Sequence, residues 1–145
     1  MHLVRYLVDL AMLYKITIEQ DYLKADLFNR ETVMETQEFF DIVADSAQQY
    51  RRKRILISVH SSSPLFAVER SGFLRRFKDV SEDPAHKIAL VADTEELGVS
   101  HQYIETLGRQ QGMNVRNFRD ESSGVVWCRS ENDAAGKKAQ RWRKS

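Results

Sequence analysis

The chain has 145 residues, enough for one domain and too few for two independent cores. Lys and Arg number 22 against 21 Asp and Glu, a formal charge of +1, which excludes a nucleic-acid binder that works through overall basicity. The 42% hydrophobic content suffices for a core, and the lone cysteine, Cys128, excludes an internal disulfide and a cysteine zinc site. No run approaches the roughly 20 apolar residues of a membrane span, so the composition reads as that of a soluble, cytoplasmic protein.

Residues 1–13 are apolar but broken by Arg5 and Asp9, with no small-residue cleavage site after them, which argues against a signal peptide. They read either as a short helix or strand packed on the domain, or as an N-terminal extension preceding a true start at Met12. The folding pattern is complete without them, which favours the extension. Tyr14, Ile16 and Ile18 alternate, as do Leu23, Ala25 and Leu27, with Gln20-Asp21 between. This spacing predicts an antiparallel hairpin.

Thr32 followed by Glu35 is a capping box, and Val33, Phe40, Val43, Ala47 and Tyr50 then recur at helical spacing. Arg51-Arg52-Lys53-Arg54 is expected to close that helix, cations against its carbonyl end. Ile55 to Val59 is a short apolar strand. In Ser61-Ser62-Ser63-Pro64, Ser63 is placed to cap a second helix with Pro64 at its first position, and Leu65, Val68, Phe73 and Phe77 mark its buried face.

Ile88 to Val91 is a continuous apolar run, as in a strand covered on both faces. Ser100 is expected to cap a third helix carrying Tyr103, Ile104 and Leu107, stopped by Gly112. Asn114 to Phe118 reads as a last strand and Glu121 to Arg129 as a last helix, with Val125 and Val126 inward and Trp127 near its end. Residues 131–145 are polar and read as a basic flexible tail. The order β-β-α-β-α-β-α-β-α calls for an α/β fold: a mixed, mostly parallel sheet with an N-terminal hairpin and about four helices. Helices on one face alone would leave the Ile88 to Val91 strand half exposed, so the N-terminal segment or a partner chain is expected over the other.

A leading hairpin, a capped helix and repeating βα units resemble the STAS fold of anti-anti-sigma factors. The closer similarity is to its bacterial SpoIIAA-like branch, grouped with the CRAL-TRIO lipid-binding domains. The phrases that carry it are Val91-Ala92-Asp93-Thr94-Glu95-Glu96-Leu97, Ser100-His101-Gln102-Tyr103-Ile104-Glu105 and Asn114-Val115-Arg116-Asn117-Phe118-Arg119-Asp120-Glu121. The resemblance covers about residues 14–130 and implies a non-enzymatic protein-interaction or regulatory module. Phosphorylatable members of the family carry an Asp-Ser-Ser-Gly type motif before the second helix. Here that loop is His60-Ser61-Ser62-Ser63-Pro64, and Ser71-Gly72 falls inside the predicted helix, so the resemblance does not carry the phosphoswitch over.

The loop His60, Ser61, Ser62, Ser63 with Phe66 is the candidate ligand-binding or phosphoacceptor site, because a strand's carboxyl end meeting a helix N-terminus suits ligands and anions. An ordinary capping loop is the plainer reading. His60 beside three serines does not make a nucleophile and base, since no Gly-x-Ser-x-Gly elbow exists, and no catalytic residue is assigned. Asp93, Glu95 and Glu96 read as capping and solvating residues of the next helix. The four histidines lack metal-site spacing and no glycine-rich phosphate loop is present, so no metal or cofactor is expected. Lys137, Lys138, Arg141, Trp142 and Arg143 in the tail are candidate nucleic-acid contacts, with a solvated tail the favoured alternative. The expected partner is a protein met through the serine loop and second-helix face, a second copy in a homodimer being one form of it. The alternative is a small apolar or anionic, lipid-like ligand between sheet and helices, which needs a cavity of roughly 300 Å³. The aromatics Phe28, Phe39, Phe40, Phe66, Phe73 and Phe77 can fill such a cavity or line it.

Overall fold

The computed structural model describes residues 4–8 (as backbone), 13–29, 32–62 and 72–131. The elements in chain order are β1 (Val4–Val8), β2 (Leu13–Ile18), β3 (Leu23–Phe28), α1 (Val33–Gln49), β4 (Arg54–His60), α2 (helical over 72–76), a 3-10 turn (Val80–Glu82), β5 (Lys87–Ala92), α3 (Glu95–Gln110), β6 (Val115–Phe118) and α4 (Glu121–Arg129). The strands form one six-stranded sheet in the order β1-β2-β3-β4-β5-β6. The first two pairings are antiparallel and the last three parallel. Part of residues 1–13 thus belongs to the sheet.

Strands laid side by side in chain order, joined by crossovers of one hand, put the connecting helices on the same face. The core bears this out. Ile55, Ile57, Val59, Ile88, Leu90 and Val115 face Phe39, Phe40, Val43, Phe73, Phe77 and Ile104 in one buried cluster. The expected capping box holds α1: the Thr32 hydroxyl accepts from the Glu35 N–H at 3.1 Å, and Glu35 Oε1 accepts from the Thr32 N–H at 3.0 Å.

The other face is closed by α4, not by the N-terminal segment or a partner as the sequence suggested. Leu56, Ala89, Val91 and Phe118 pack there against Trp127 and Cys128. The buried stripe of α4 is Gly124, Trp127 and Cys128, and Val126, expected inward, is 71% exposed. A Cβ on Gly124 would lie 2.9 Å from Leu56 Cδ1 and 3.3 Å from Val91 Cγ2, so only glycine lets the helix approach this closely. Two cations hold its carbonyl end. Buried Lys87 donates to the carbonyls of Trp127 and Ser130, both at 2.9 Å, and Arg54 Nη1 to those of Cys128 and Ser130 at 2.9 and 2.8 Å. The charges meet the negative end of the helix dipole and satisfy carbonyls that the helix leaves open. Lys87 and Arg116 also lie 5.2 and 5.4 Å from the centre of the Trp127 ring, within cation–π reach.

Two helix boundaries differ from expectation. Thr94, not Ser100, caps α3: its hydroxyl accepts from the Leu97 N–H at 3.2 Å, while Ser100 is buried well inside the helix. Asp93 and Thr94 thus read as loop and Gly98 as helix interior. The Arg51 to Arg54 run does not close α1 from within, since no basic residue lies in its last turn. Instead the Arg51 N–H donates to the Gln48 carbonyl and the Arg52 N–H to the Ala47 carbonyl, a Schellman ending. Arg51 takes the left-handed position of that motif, φ 57°, which glycine normally fills. Arg51→Gly should therefore stabilise the fold by about 1 kcal/mol, read as a higher urea midpoint at unchanged slope.

His86 couples the fold to pH. The Asn114 N–H donates to its Nε2 at 2.8 Å, so that nitrogen carries no proton, and Nδ1 donates to the Asp83 carbonyl at 2.6 Å. Burial depresses its pKa below the usual value, with the hydrogen bond and charge of Asp83 opposing only in part. A depressed base binds fewer protons folded than unfolded. Its contribution is complete above about pH 6.5, the unfolded value, and is lost as pH falls towards the lower folded value. Urea unfolding between about pH 5 and 7.5 should show stability rising with pH more steeply in the wild type than in His86→Gln. Parallel curves would count against this.

Candidate functional site

The carboxyl ends of β3, β4 and β5 meet at one rim of the sheet. β4 ends at His60, and Ser61 follows with a left-handed φ of 46°. Cross-strand bonds hold that conformation. The Ser61 N–H donates to Asp93 Oδ2 at 3.0 Å, and the Asp93 N–H to the Val59 carbonyl at 3.3 Å. The His60 carbonyl accepts from the Ser62 hydroxyl at 2.9 Å and from the N–H of Asn29 at 3.2 Å. Asn29 is left-handed too, φ 57°. Two non-glycine residues in this region mark a rim stiffened by its own hydrogen bonds. Asp93, read from sequence as a solvating residue, is the tether of the serine loop.

The His60 ring points to the α4 side of the sheet. It stacks on Phe28, centroids 4.5 Å apart and planes 13° from parallel, and its Nε2 lies 3.2 Å from Asp26 Oδ1. Register explains both contacts: Phe28 pairs with His60, and Asp26 with Ser58 one step along the same face. Lys24 Nζ lies 3.9 Å from Asp26 Oδ2 and also binds Glu121 at the start of α4. Burial works against the Lys24 charge, but the Glu121 hydrogen bond and the field of Asp26 outweigh it and raise its pKa. The alternation Lys24, Asp26, Phe28 was the available signal for this cluster, since a charge inside an apolar strand needs a partner.

The structure thus brings His60, Ser61 and Ser62 together, but not as base and nucleophile. The Ser62 hydroxyl meets the His60 backbone, and the ring is held by Asp26 and Phe28. Ser63 and Phe66 lie outside the described residues, as do Lys137, Lys138, Arg141, Trp142 and Arg143. Beside the loop, a cleft of about 390 Å³ is lined by Asp93, Thr94, Gln102, Asn117, Phe118 and Arg119 among others. At the opposite end of the sheet a groove of about 580 Å³ between α1 and α2 carries alternating charges, Arg51 and Arg75 with Asp45 and Asp79. The Arg76–Asp41 pair and Lys53–Asp83 at 3.6 Å bridge charges within that lining.

Cys128 is chemically quiet. Burial pushes its thiol up to about 12, more than Lys87 and Arg54 can offset, so almost no thiolate exists at neutral pH. Among the described residues no group of three His, Cys, Asp or Glu side chains is arranged to hold a metal, and no helix is long and apolar enough to cross a membrane. No protein-family model matches the chain, and no curated protein matches it in sequence.

Proposed function

We propose that the protein is a non-enzymatic interaction module of the STAS, SpoIIAA-like kind, acting in the cytoplasm through the rim around His60, Ser61 and Ser62. One observation carries this reading: among the described residues, aromatic rings pack against one another between the sheet and the helices, while exposed apolar side chains stand near the polar loop. Phe40 packs against Phe39, Phe73 and Phe77 with ring centroids 6.2, 5.7 and 5.8 Å away, and Phe73 meets Phe77 at 4.8 Å. All four rings are buried and in contact with one another, which among the described residues favours rings that fill the interior over rings that line a cavity. Val33 and Met34 open α1 at the rim, and on α3 Val99 is followed by Tyr103 one turn further down the helix. Met34 is 76% and Tyr103 49% exposed. Apolar side chains beside a stiffened polar loop suit a protein partner better than an enclosed lipid. The hairpin followed by βα units in sequential strand order supports the family reading.

The second reading, a small anionic or polar ligand, draws on the cleft beside Asp93 with Arg119 in its wall. Native mass spectrometry of the protein purified from its own host separates the two. The interaction reading expects the bare polypeptide, alone or with a second polypeptide at fixed stoichiometry. A stoichiometric small-molecule adduct would overturn it and identify the ligand.

A further inference from the structure

The two edges of the sheet are treated differently. At the β6 edge, Arg109 Nε donates to the Val115 carbonyl at 3.1 Å, and Glu105 Oε1 accepts from the Asn117 N–H at 2.9 Å. Arg109 and Glu105 also pair with each other at 3.6 Å. Two side chains of α3 therefore occupy the backbone groups that a further strand would need, a direct block to edge-to-edge pairing. β1 at the opposite edge pairs with β2 over five residues, and among the described residues nothing caps its outer side. Its sequence, Val-Arg-Tyr-Leu-Val, has no proline or glycine and is rich in residues that favour strands. Among the described residues, one edge is closed by side chains of α3 and the other is left fit for pairing.

We propose that β1 is a self-association edge, pairing antiparallel with β1 of a second copy across a two-fold axis to make one continuous sheet. Symmetry selects both occupant and register. An antiparallel pair of identical strands is self-complementary and needs no second sequence. A two-fold axis perpendicular to the sheet keeps each residue on its own face, so opposed residues differ by an even number and the axis passes through a residue. Centring on Arg5 sets two arginines opposite each other. Centring on Leu7 leaves Val4 and Arg5 without a partner within the strand. Centring on Tyr6 pairs all five positions: Val4 with Val8 of the second copy, Arg5 with Leu7 of the second copy, and Tyr6 with itself. A five-residue ladder is small beside the roughly 1,200 Å² of a stable interface, so the association is weak and depends on concentration.

The test uses the full chain. Sedimentation equilibrium from about 10 to 500 μM, a range that brackets micromolar affinities, should show the mean mass climbing towards twice the monomer, with Tyr6→Pro remaining monomeric. Single cysteines then read the register, with buried Cys128 left in place. Under mild oxidation Tyr6→Cys should cross-link to itself. Val4→Cys and Val8→Cys should not do so alone but should cross-link when mixed. This second arm decides the matter if Tyr6→Pro fails to fold. A wild type that stays monomeric throughout would overturn the proposal. A dimer in which all three cysteines cross-link equally, or none does, would overturn it as well.

Discussion

Trp127→Ala is expected to destabilise the protein by about 4 kcal/mol, within the range for truncating a buried aromatic. The ring is buried against Phe118, 5.6 Å away, and lies within reach of the Lys87 and Arg116 charges. Its loss opens a void under α4 and leaves two buried cations without the π face they lie against. The helix is only nine residues long, so it has little intrinsic stability and depends on this packing. Cys128 provides a local readout beside the urea midpoint. In the wild type its thiol, buried and raised to about 12, should resist a thiol reagent at neutral pH on the time scale of global unfolding. In Trp127→Ala it should react much faster. Equal labelling rates would mean that α4 is held chiefly by Lys87 and Arg54 at its carbonyl end.

Phe40→Ala should have a comparable effect, about 3 to 5 kcal/mol, because Phe40 sits at the centre of the aromatic cluster and is in ring contact with Phe39, Phe73 and Phe77. The variant also bears on function. A void lined by these rings would be apolar and dry, and such voids accept benzene-sized probes. Benzene should raise the thermal midpoint of Phe40→Ala and leave the wild type unchanged. If it stabilised the wild type to the same degree, the interior would already hold space for an apolar ligand, and the interaction reading would give way to the lipid-like one.

What was legible in the sequence was the part of the fold governed by local periodicity. The alternation of Tyr14, Ile16 and Ile18, the Thr32 and Glu35 box and the Ile88 to Val91 run each locate an element by themselves. The cover of the second face was not legible, because its stripe is Gly124, Trp127 and Cys128. Glycine and cysteine do not stand out as an apolar stripe, whereas the adjacent Val125 and Val126 do. Burial of Lys87 was equally hidden, since its acceptors are carbonyls about forty positions away, and no spacing rule links a side chain to distant backbone. At the rim, the strand exit at His60 could be read directly. Its contacts with Asp26 and Phe28 could not, because they exist only once β3 and β4 are neighbours in a known register.

The sequential strand order bears on how the chain is made. Each strand from β2 onwards docks on the one synthesised just before it, so the sheet can grow outward as the polypeptide leaves the ribosome. Contacts between sequence neighbours keep loop-closure costs small and favour fast folding. The exception is α4, the last described element, which must return across β4, β5 and β6. Until residues 121–129 have emerged, the nascent sheet presents Leu56, Ala89, Val91 and Phe118 to solvent. A stalled or truncated product ending before α4 would therefore expose the apolar strip that chaperones and proteases recognise, and completion of α4 would serve as the chain's own quality check.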